Sequence, residues 1–376
     1  MPSTGSRILS RVERIVELGP RLPGSEAEDR CRDLIIESLG EIDGGGCEVE
    51  EFPFLNWIPV KQSLAILPGT EIPVTQLGYS AVGKVETELA DCGSGTKDEC
   101  RGAGGKIALC SSGLDGSLRF LHRIQKYRNA VRAGALGFLL VGEAGHPPPE
   151  GMIRKRGRGS IPAVSLTHEA ARKYLLAPGP VRLRMDVSNV IREDRSANVI
   201  WRTGGGHPGI VLCAHMDSWT PGAWDNASGI AVLLEMAREL RNRDWGREIA
   251  LCFTGCEEFG LFGSRDFCRR HASDFCLAVN VDGIGLGGAE IQVRCSDRDL
   301  AGIPPLKGIY SDLPLTPWGD HFSFQKSGVP ALFVTSGGIN PVQHTREDSP
   351  KILNPQDLEA SLNLLSEIVA YQVSNL

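Results

Sequence analysis

Residues 211–229 read VLCAHMDSWTPGAWDNASG. The apolar run Val211–Ala214 ends in His215, Asp217 follows two residues later, and Asp225 sits in a Gly/Asn/Ser-rich turn just before a helical pattern. A buried strand that delivers a His and a carboxylate at its end, then turns tightly into a helix, is how open α/β sheets build sites at their carboxyl edge. Imidazole plus carboxylate is a donor set that suits zinc.

Working outward, strand and helix patterns alternate. Ile210–Ala214 precedes a helix over about Ala227–Arg243, with Ile230, Leu233, Leu234, Ala237 and Leu240 on one face. Glu248–Thr254 precedes a helix near Leu261–His271, Phe275–Val281 and Pro330–Thr335 read as further strands, and Pro355–Val373 as a final amphipathic helix. Near the start, Ile8, Leu9, Val12, Ile15 and Val16 form a helical stripe, Ser25 with Glu28 forms a capping box ahead of a second helix, and Cys47–Phe54 alternates like a strand. The fold class expected is α/β, a mainly parallel mixed sheet with helices on both faces. From about Lys61 the texture changes to short strand-like runs, Ser63–Leu67, Gly83–Leu89, Lys106–Cys110, Gly137–Val141 and Ile161–Leu166, with one helix-like segment, Ser117–Ala133. That stretch is expected to be an inserted β-rich domain over residues 61–180, with the catalytic domain formed by 1–60 and 181–376. Val181–Val187 and Ala197–Arg202 read as two strands leading back into it.

A chain of 376 residues is long for a single core, consistent with two domains. The net charge of −6 gives no reason to expect nucleic acid or an anionic membrane as a partner. The short basic run Arg154-Lys155-Arg156 with Arg158 reads as a solvated loop. No apolar stretch reaches the ~20 residues of a membrane span, and the amino-terminal residues lack a signal-peptide core. The 11 cysteines, an odd number often placed inside apolar strands, fit reduced thiols, so a cytoplasmic location is expected. Cys92 and Cys100 share a polar loop and could pair under oxidation; no C-x-x-C knuckle points to structural zinc.

Four apolar strands each lead into residues of ligand type: His215 with Asp225 beyond, Cys256-Glu257-Glu258, Asp282, and, after a Gly-rich loop, Gln343-His344-Thr345. If those strands are parallel neighbours, His215, Asp225, Glu258, Asp282 and His344 converge on one edge as a two-metal set, with one His and one terminal carboxylate per ion and one bridging carboxylate. Glu257 is then the extra carboxylate, a general base beside the activated water. Singly, each group has a plainer explanation: a hydrogen-bonded His, a solvated Glu pair, an Asx turn at Asp282. Their order and their common place at strand ends argue for the site.

The blocks AHMDS, GAWDNASG, GCEEFGLFGS, NVDGIG, GDHFSFQKSGVPA and QHTREDSP, with RLPGSEAEDRCRDLIIESL upstream, resemble the co-catalytic dizinc aminopeptidase and glutamate carboxypeptidase family, whose fold is of the zinc-exopeptidase type. GGKIALC, YRNAVRAGALGFLLV and IPAVSL make the insert similar to a protease-associated domain. The resemblance implies that His215 and Asp282 hold one zinc, Glu258 and His344 the other, and that Asp225 bridges them. It implies Glu257 as the proton shuttle, Asp217 as the partner that orients His215, Asp348 in similar work near His344, and a cis peptide between Asp225 and Asn226. The family's oxyanion Tyr has no counterpart: Thr316-Pro317-Trp318-Gly319 and Gln343 stand in its two places, and the Gln343 amide is a substitute donor. His321 is read as structural, and Cys256 as a small packed side chain.

The function expected is removal of N-terminal residues from short peptides by a cytoplasmic exopeptidase with two Zn²⁺ per chain, for which Co²⁺ or Mn²⁺ could substitute. Dipeptidase or carboxypeptidase action on the same centre is the alternative. A one-zinc glutaminyl-cyclase-like enzyme or a non-catalytic binding member is less compatible with retention of all five ligands and Glu257. The insert is expected to cap the cleft against longer substrates, and a homodimer is the assembly considered. Trp219, Trp224, Phe259, Trp318 and Phe322 surround the motifs, either as an apolar substrate pocket or as packing.

Overall fold

The computed structural model describes residues 2–43, 46–113, 121–154, 157–176, 179–241, 243–296, 298–307, 309, 315, 317–337, 340 and 342–375. Its helices are α1 (Thr4–Val16), α2 (Glu26–Asp43), α3 (Arg123–Arg132), α4 (His168–Tyr174), α5 (Ser228–Leu240), α6 (Phe262–His271), α7 (Arg298–Ala301), α8 (His321–Lys326) and α9 (Pro355–Asn375). Its strands are β1 (Glu48–Ile66), β2 (Thr70–Ile72), β3 (Thr75–Gln76), β4 (Gly83–Asp91), β5 (Ile107–Ser111), β6 (Gly137–Val141), β7 (Ala163–Leu166), β8 (Arg182–Arg202), β9 (Gly206–His215), β10 (Arg247–Thr254), β11 (Phe275–Val281), β12 (Ile291–Cys295) and β13 (Ala331–Ser336). The chain forms two compact units. The first comprises Met1–Phe54, Asp194–Asn340 and Asp348–Leu376; the second comprises Leu55–Glu193 and Pro341–Glu347.

In the first unit the strands lie in the order β12-β13-β11-β9-β10-β8. β13, β11, β9 and β10 are mutually parallel, and β12 and β8 are antiparallel at the two ends. The central strands are buried on both faces, which is why they read as apolar runs without alternation. Ile210, Leu212, Ala214, Ile249, Leu251, Leu277 and Val279 pack with α1, α2, α5 and α9 in one core. Val211, Cys213, Ala250, Cys252 and Ala278 face the other side, against Phe267 of α6 and Phe324 of α8. Each fully buried Leu, Ile, Val or Phe stabilises the unit by about 1.5–3 kcal/mol relative to exposure. The expected mainly parallel mixed sheet, covered on both faces, is therefore present.

In the second unit β4, β5, β6 and β7 are parallel, with β3 antiparallel to β7 and residues 182–187 of β8 antiparallel to β4. Alternate residues of β5 and β6 serve two cores. Ala108, Cys110, Phe138 and Leu140 pack with Tyr127 and Ala130 of α3, while Ile107, Leu109, Leu139 and Val141 pack with Ala171 of α4.

Several details depart from the sequence pattern: Cys47–Phe54 and Ser63–Leu67, read separately, belong to the one strand β1. Val181–Val187 and Ala197–Arg202 are ends of one continuous strand, β8, which pairs with β4 through its first part and β10 through its last. The polar residues between them carry no apolar alternation, so the sequence pattern breaks where the backbone does not. The helix sought over Ser117–Ala133 is α3, which begins at Arg123, where the His122 ring accepts from Ile124 N–H; residues 117–120 lie outside the described residues, as do Lys155, Arg156 and Thr316. β12 carries too weak a pattern to be foreseen. Among the described residues no helix is long and apolar enough to cross a membrane.

Candidate metal centre

Parallel register places the functional strand ends level with one another. Thr254 of β10 is opposite His215, and Asn280 of β11 is opposite Cys213. Glu257 and Glu258 therefore leave the sheet at the same edge as His215, and Asp282 follows β11 directly. His215 Nε2 lies 3.0 Å from Asp225 Oδ1 and 3.5 Å from Asp282 Oδ1. The other ring nitrogen, Nδ1, donates to the Asp217 carbonyl at 2.9 Å. A carbonyl can only accept, so Nδ1 carries a proton and Nε2 is the atom left to face a ligand.

Asp217 acts differently from the sequence expectation. Its carbonyl, not its carboxylate, orients His215; the nearer carboxylate oxygen is 3.7 Å from Nδ1. The carboxylate instead accepts the backbone N–H groups of Glu257 and Glu258, both at 3.0 Å. Asp217 thus ties the His215 strand end to the Glu257-Glu258 turn. In that turn Cys256 takes a left-handed conformation with φ of 62°. Its thiol is buried and pushed well above the usual range, first by burial, so the side chain is packed and un-ionised. Trp219 Nε1 donates to Glu258 Oε2 at 3.0 Å while its ring stacks on Phe259, centroids 4.9 Å apart. These aromatics are buried supports of the turn.

The Asp225 loop is held from three directions. The Asp225–Asn226 peptide is cis, as expected. The Asn226 side chain donates to Val281 O at 2.9 Å and accepts from Gly229 N at 3.0 Å. The Asp348 carboxylate accepts from Trp224 N at 2.7 Å and Asp225 N at 3.1 Å. His321 packs tilted against Phe333, centroids 4.8 Å apart, and its Nδ1 lies 3.4 Å from Asn280 Nδ2, in keeping with a structural residue.

Two supports escape sequence reasoning. Arg21 is completely buried; its guanidinium donates to Met216 O at 2.8 Å and Pro221 O at 2.7 Å, gripping the loop after His215. Glu28, sought as a helix cap, accepts from Gly24 N at 2.7 Å and from Ser196 Oγ at 2.7 Å. Burial, reinforced by the Asp217 charge, raises its carboxyl to about 8. The sequence signal for Arg21 was its place in the RLPGSEAE block; Glu28 was also read in a capping box, and its N–H does donate to Ser25 Oγ at 3.3 Å.

His344 belongs to the short segment grouped with the second unit, where its Nδ1 faces the Glu150 carbonyl at 3.2 Å. This repeats the His215 pattern: a carbonyl fixes Nδ1 as the protonated nitrogen and leaves Nε2 for other work. Gln343 is exposed.

The donor set of the first unit fits a metal ion. One atom each from His215, Asp225 and Asp282 lie within 4.8 Å of one another. Around them Asp217, Asp225, Glu257 and Glu258 are buried and Asp282 is partly so. Burial opposes charge on His215, yet its bonds to Asp225 and Asp282 hold the ring well above its usual pKa. Burial pushes Glu257 well up, against the pull of His215, and brings Asp217 to about 7. A divalent cation offsets such buried carboxylates directly, so the donor set suits one.

Residues 198–369 match the model of peptidase family M28, and residues 73–174 match the PA domain. Aminopeptidase YwaD of Bacillus subtilis (strain 168) is 28% identical over 408 residues, covering 98% of this chain and 85% of the relative. The solved structure of BSAP, a zinc aminopeptidase from Bacillus subtilis, superposes with a TM-score of 0.78 at 23% identity, covering 98% of this chain and 95% of that one. A peptidase M28 precursor from Shewanella amazonensis SB2B gives a TM-score of 0.78 at 22% identity over 98% of this chain and 93% of its own. With its blocks in order and its strand ends level, the chain carries the domain of peptidase family M28 over residues 198–369 and an inserted PA domain over residues 73–174.

Proposed function

We propose that this chain is a zinc aminopeptidase with two ions per chain, removing N-terminal residues from short peptides. The observation that carries the reading is the buried convergence of His215, Asp225 and Asp282, with Glu257 and Glu258 fixed beside them by Asp217. His215 and Asp282 would hold one ion, Glu258 and His344 the other, and Asp225 would bridge. Zinc bound there supplies a Lewis acid that brings the pKa of a water near neutrality and polarises the scissile carbonyl. Glu257 takes the proton of the attacking water and returns it to the leaving amine, a role worth about 10²–10⁴-fold in rate. The surplus of carboxylates around the site favours a cationic substrate amine, which supports action at the amino end. Asp217 and the Trp219–Glu258 contact keep the shuttle and its neighbour pointing apart.

The test is hydrolysis of a panel of dipeptides, longer peptides and end-blocked peptides by wild type and Glu257→Ala, with metal analysis in parallel. At least two zincs per chain, two of them lost on mutation of the edge ligands, cleavage that requires a free N-terminus, and a loss of about 10²–10⁴-fold in the variant with its metal retained are expected. Cleavage that requires a free C-terminus would instead make the protein a carboxypeptidase. Metal-bound wild type that cuts nothing would sink the hydrolytic reading.

A further inference from the structure

The second unit holds a cluster that the proposed reaction does not use. Cys92 follows β4, Cys100 lies in the single 3₁₀ turn Glu99–Ala103, and Cys110 is in β5. All three are buried in the core that packs on α3. One sulfur from each lies within 4.8 Å of the other two. The three carry free thiols. Tetrahedral zinc with Zn–S bonds of about 2.3 Å sets its sulfurs about 3.8 Å apart, inside that limit.

The surroundings are built for charge. Lys126 of α3 is fully buried and donates from Nζ to Ser111 O at 2.6 Å and Gly113 O at 2.8 Å, next in the chain to Cys110. The Lys126 stem and Cys110 Sγ approach so closely that a Cβ at Gly95 would lie 2.9 Å from the one and 3.0 Å from the other. Three thiolates and a divalent ion sum to one negative charge, and Lys126 brings a buried ammonium to the Ser111 carbonyl beside Cys110. Glu99 fixes the turn that presents Cys100: its carboxylate accepts from Ser94 Oγ and Thr96 Oγ1, both at 2.6 Å.

We infer that Cys92, Cys100 and Cys110 form a trithiolate site for a thiophilic divalent ion of the zinc class, which ties β4, the 3₁₀ turn and β5 together. Soft sulfur donors select such ions over hard ones. Each thiol that becomes a ligand releases its proton to solvent. The linear spacing, seven residues and then nine between cysteines, carries no knuckle signature, so only the fold reveals the cluster.

The experiment uses the full chain isolated under reductant and incubated with Cd²⁺. An intense sulfur-to-cadmium charge-transfer absorption, saturating at one equivalent per chain, is expected. It should persist in His215→Ala, whose altered site has only nitrogen and oxygen donors, and vanish in Cys100→Ser. If Cys100→Ser fails to fold, X-ray absorption at the zinc edge of wild-type protein decides: sulfur neighbours at about 2.3 Å support the site, and a shell of nitrogen and oxygen alone removes it. The idea also falls if the cadmium band is absent, if it survives Cys100→Ser, or if protein isolated without reductant is two mass units lighter with a disulfide between any two of these cysteines.

Discussion

The carboxylate cluster of the first unit and the cysteine cluster of the second both hang from parallel strands, yet their surroundings differ. In the first, every donor lies at or beyond the carboxyl end of a strand: His215 closes β9, Glu257 and Glu258 follow β10, and Asp282 follows β11. In the second, Cys92 also follows a strand and Cys100 lies in the turn beyond it, but with Cys110 of β5 they are buried in an apolar core among Ala108, Phe138 and Tyr127. Charged donors need hydrogen-bond partners and a route to substrate, and loop backbone at a sheet edge supplies both. Thiols tolerate an apolar interior and can wait there un-ionised. The difference teaches that parallel strands position chemistry without dictating its kind; the polarity of what surrounds the strand ends selects which donors fit.

The largest expected effect tests the edge cluster directly. His215→Ala should lose zinc and at least about a thousandfold of peptide hydrolysis, beyond the 10–100-fold typical of outer partners, as read by metal analysis and kcat/KM. Zinc retained in full by this variant would break the comparison at its first member. Next is the buried acid behind the turn. Glu28 has its carboxyl raised from 4.5 to about 8, so the folded state holds a proton that the unfolded state releases. Its contribution to stability is complete below about pH 4.5 and is lost as pH rises through about 8. Glu28→Gln should therefore flatten the pH dependence of the unfolding free energy between those limits. At pH 9 it should exceed wild type by up to a few kcal/mol, since one pKa unit is about 1.4 kcal/mol. Parallel pH profiles for the two proteins would show that the edge carries no buried-acid penalty there. The smallest effect is that of Asp217→Asn. The amide can accept only one of the two N–H groups from Glu257 and Glu258 and presents a donor to the other. A fall of about 10–100-fold in kcat with zinc retained is expected. A loss of zinc equal to that of His215→Ala would make Asp217 a keeper of the metal ligand, not of the Glu257 turn.

Much of the first unit was legible in the sequence because burial on both faces writes strands as unbroken apolar runs, and helices as stripes. Ile230, Leu233, Leu234, Ala237 and Leu240 all face the core as their spacing required. Ligand-type residues at the ends of such runs are conspicuous for the same reason: polar groups following four apolar residues need an explanation. β8 was misread as two strands because its central residues lack alternation, and the strand persists through pairing that the sequence does not display.

The sequence by itself determined which residues are candidates for the chemistry and the order of strand and helix that could gather them. What tertiary structure alone decided is which atom does what. Asp217 turns its carbonyl to His215 and its carboxylate to the Glu257 turn, Asp348 grips Trp224 and Asp225, and Arg21 and Glu28 become buried supports. Three cysteines scattered over 19 residues become one cluster. The physical reason is the same in each case. Periodicity records which face of an element is apolar, a one-dimensional property, whereas hydrogen-bond and ligand partners come from other elements and depend on angstrom-scale distances that no spacing along the chain encodes.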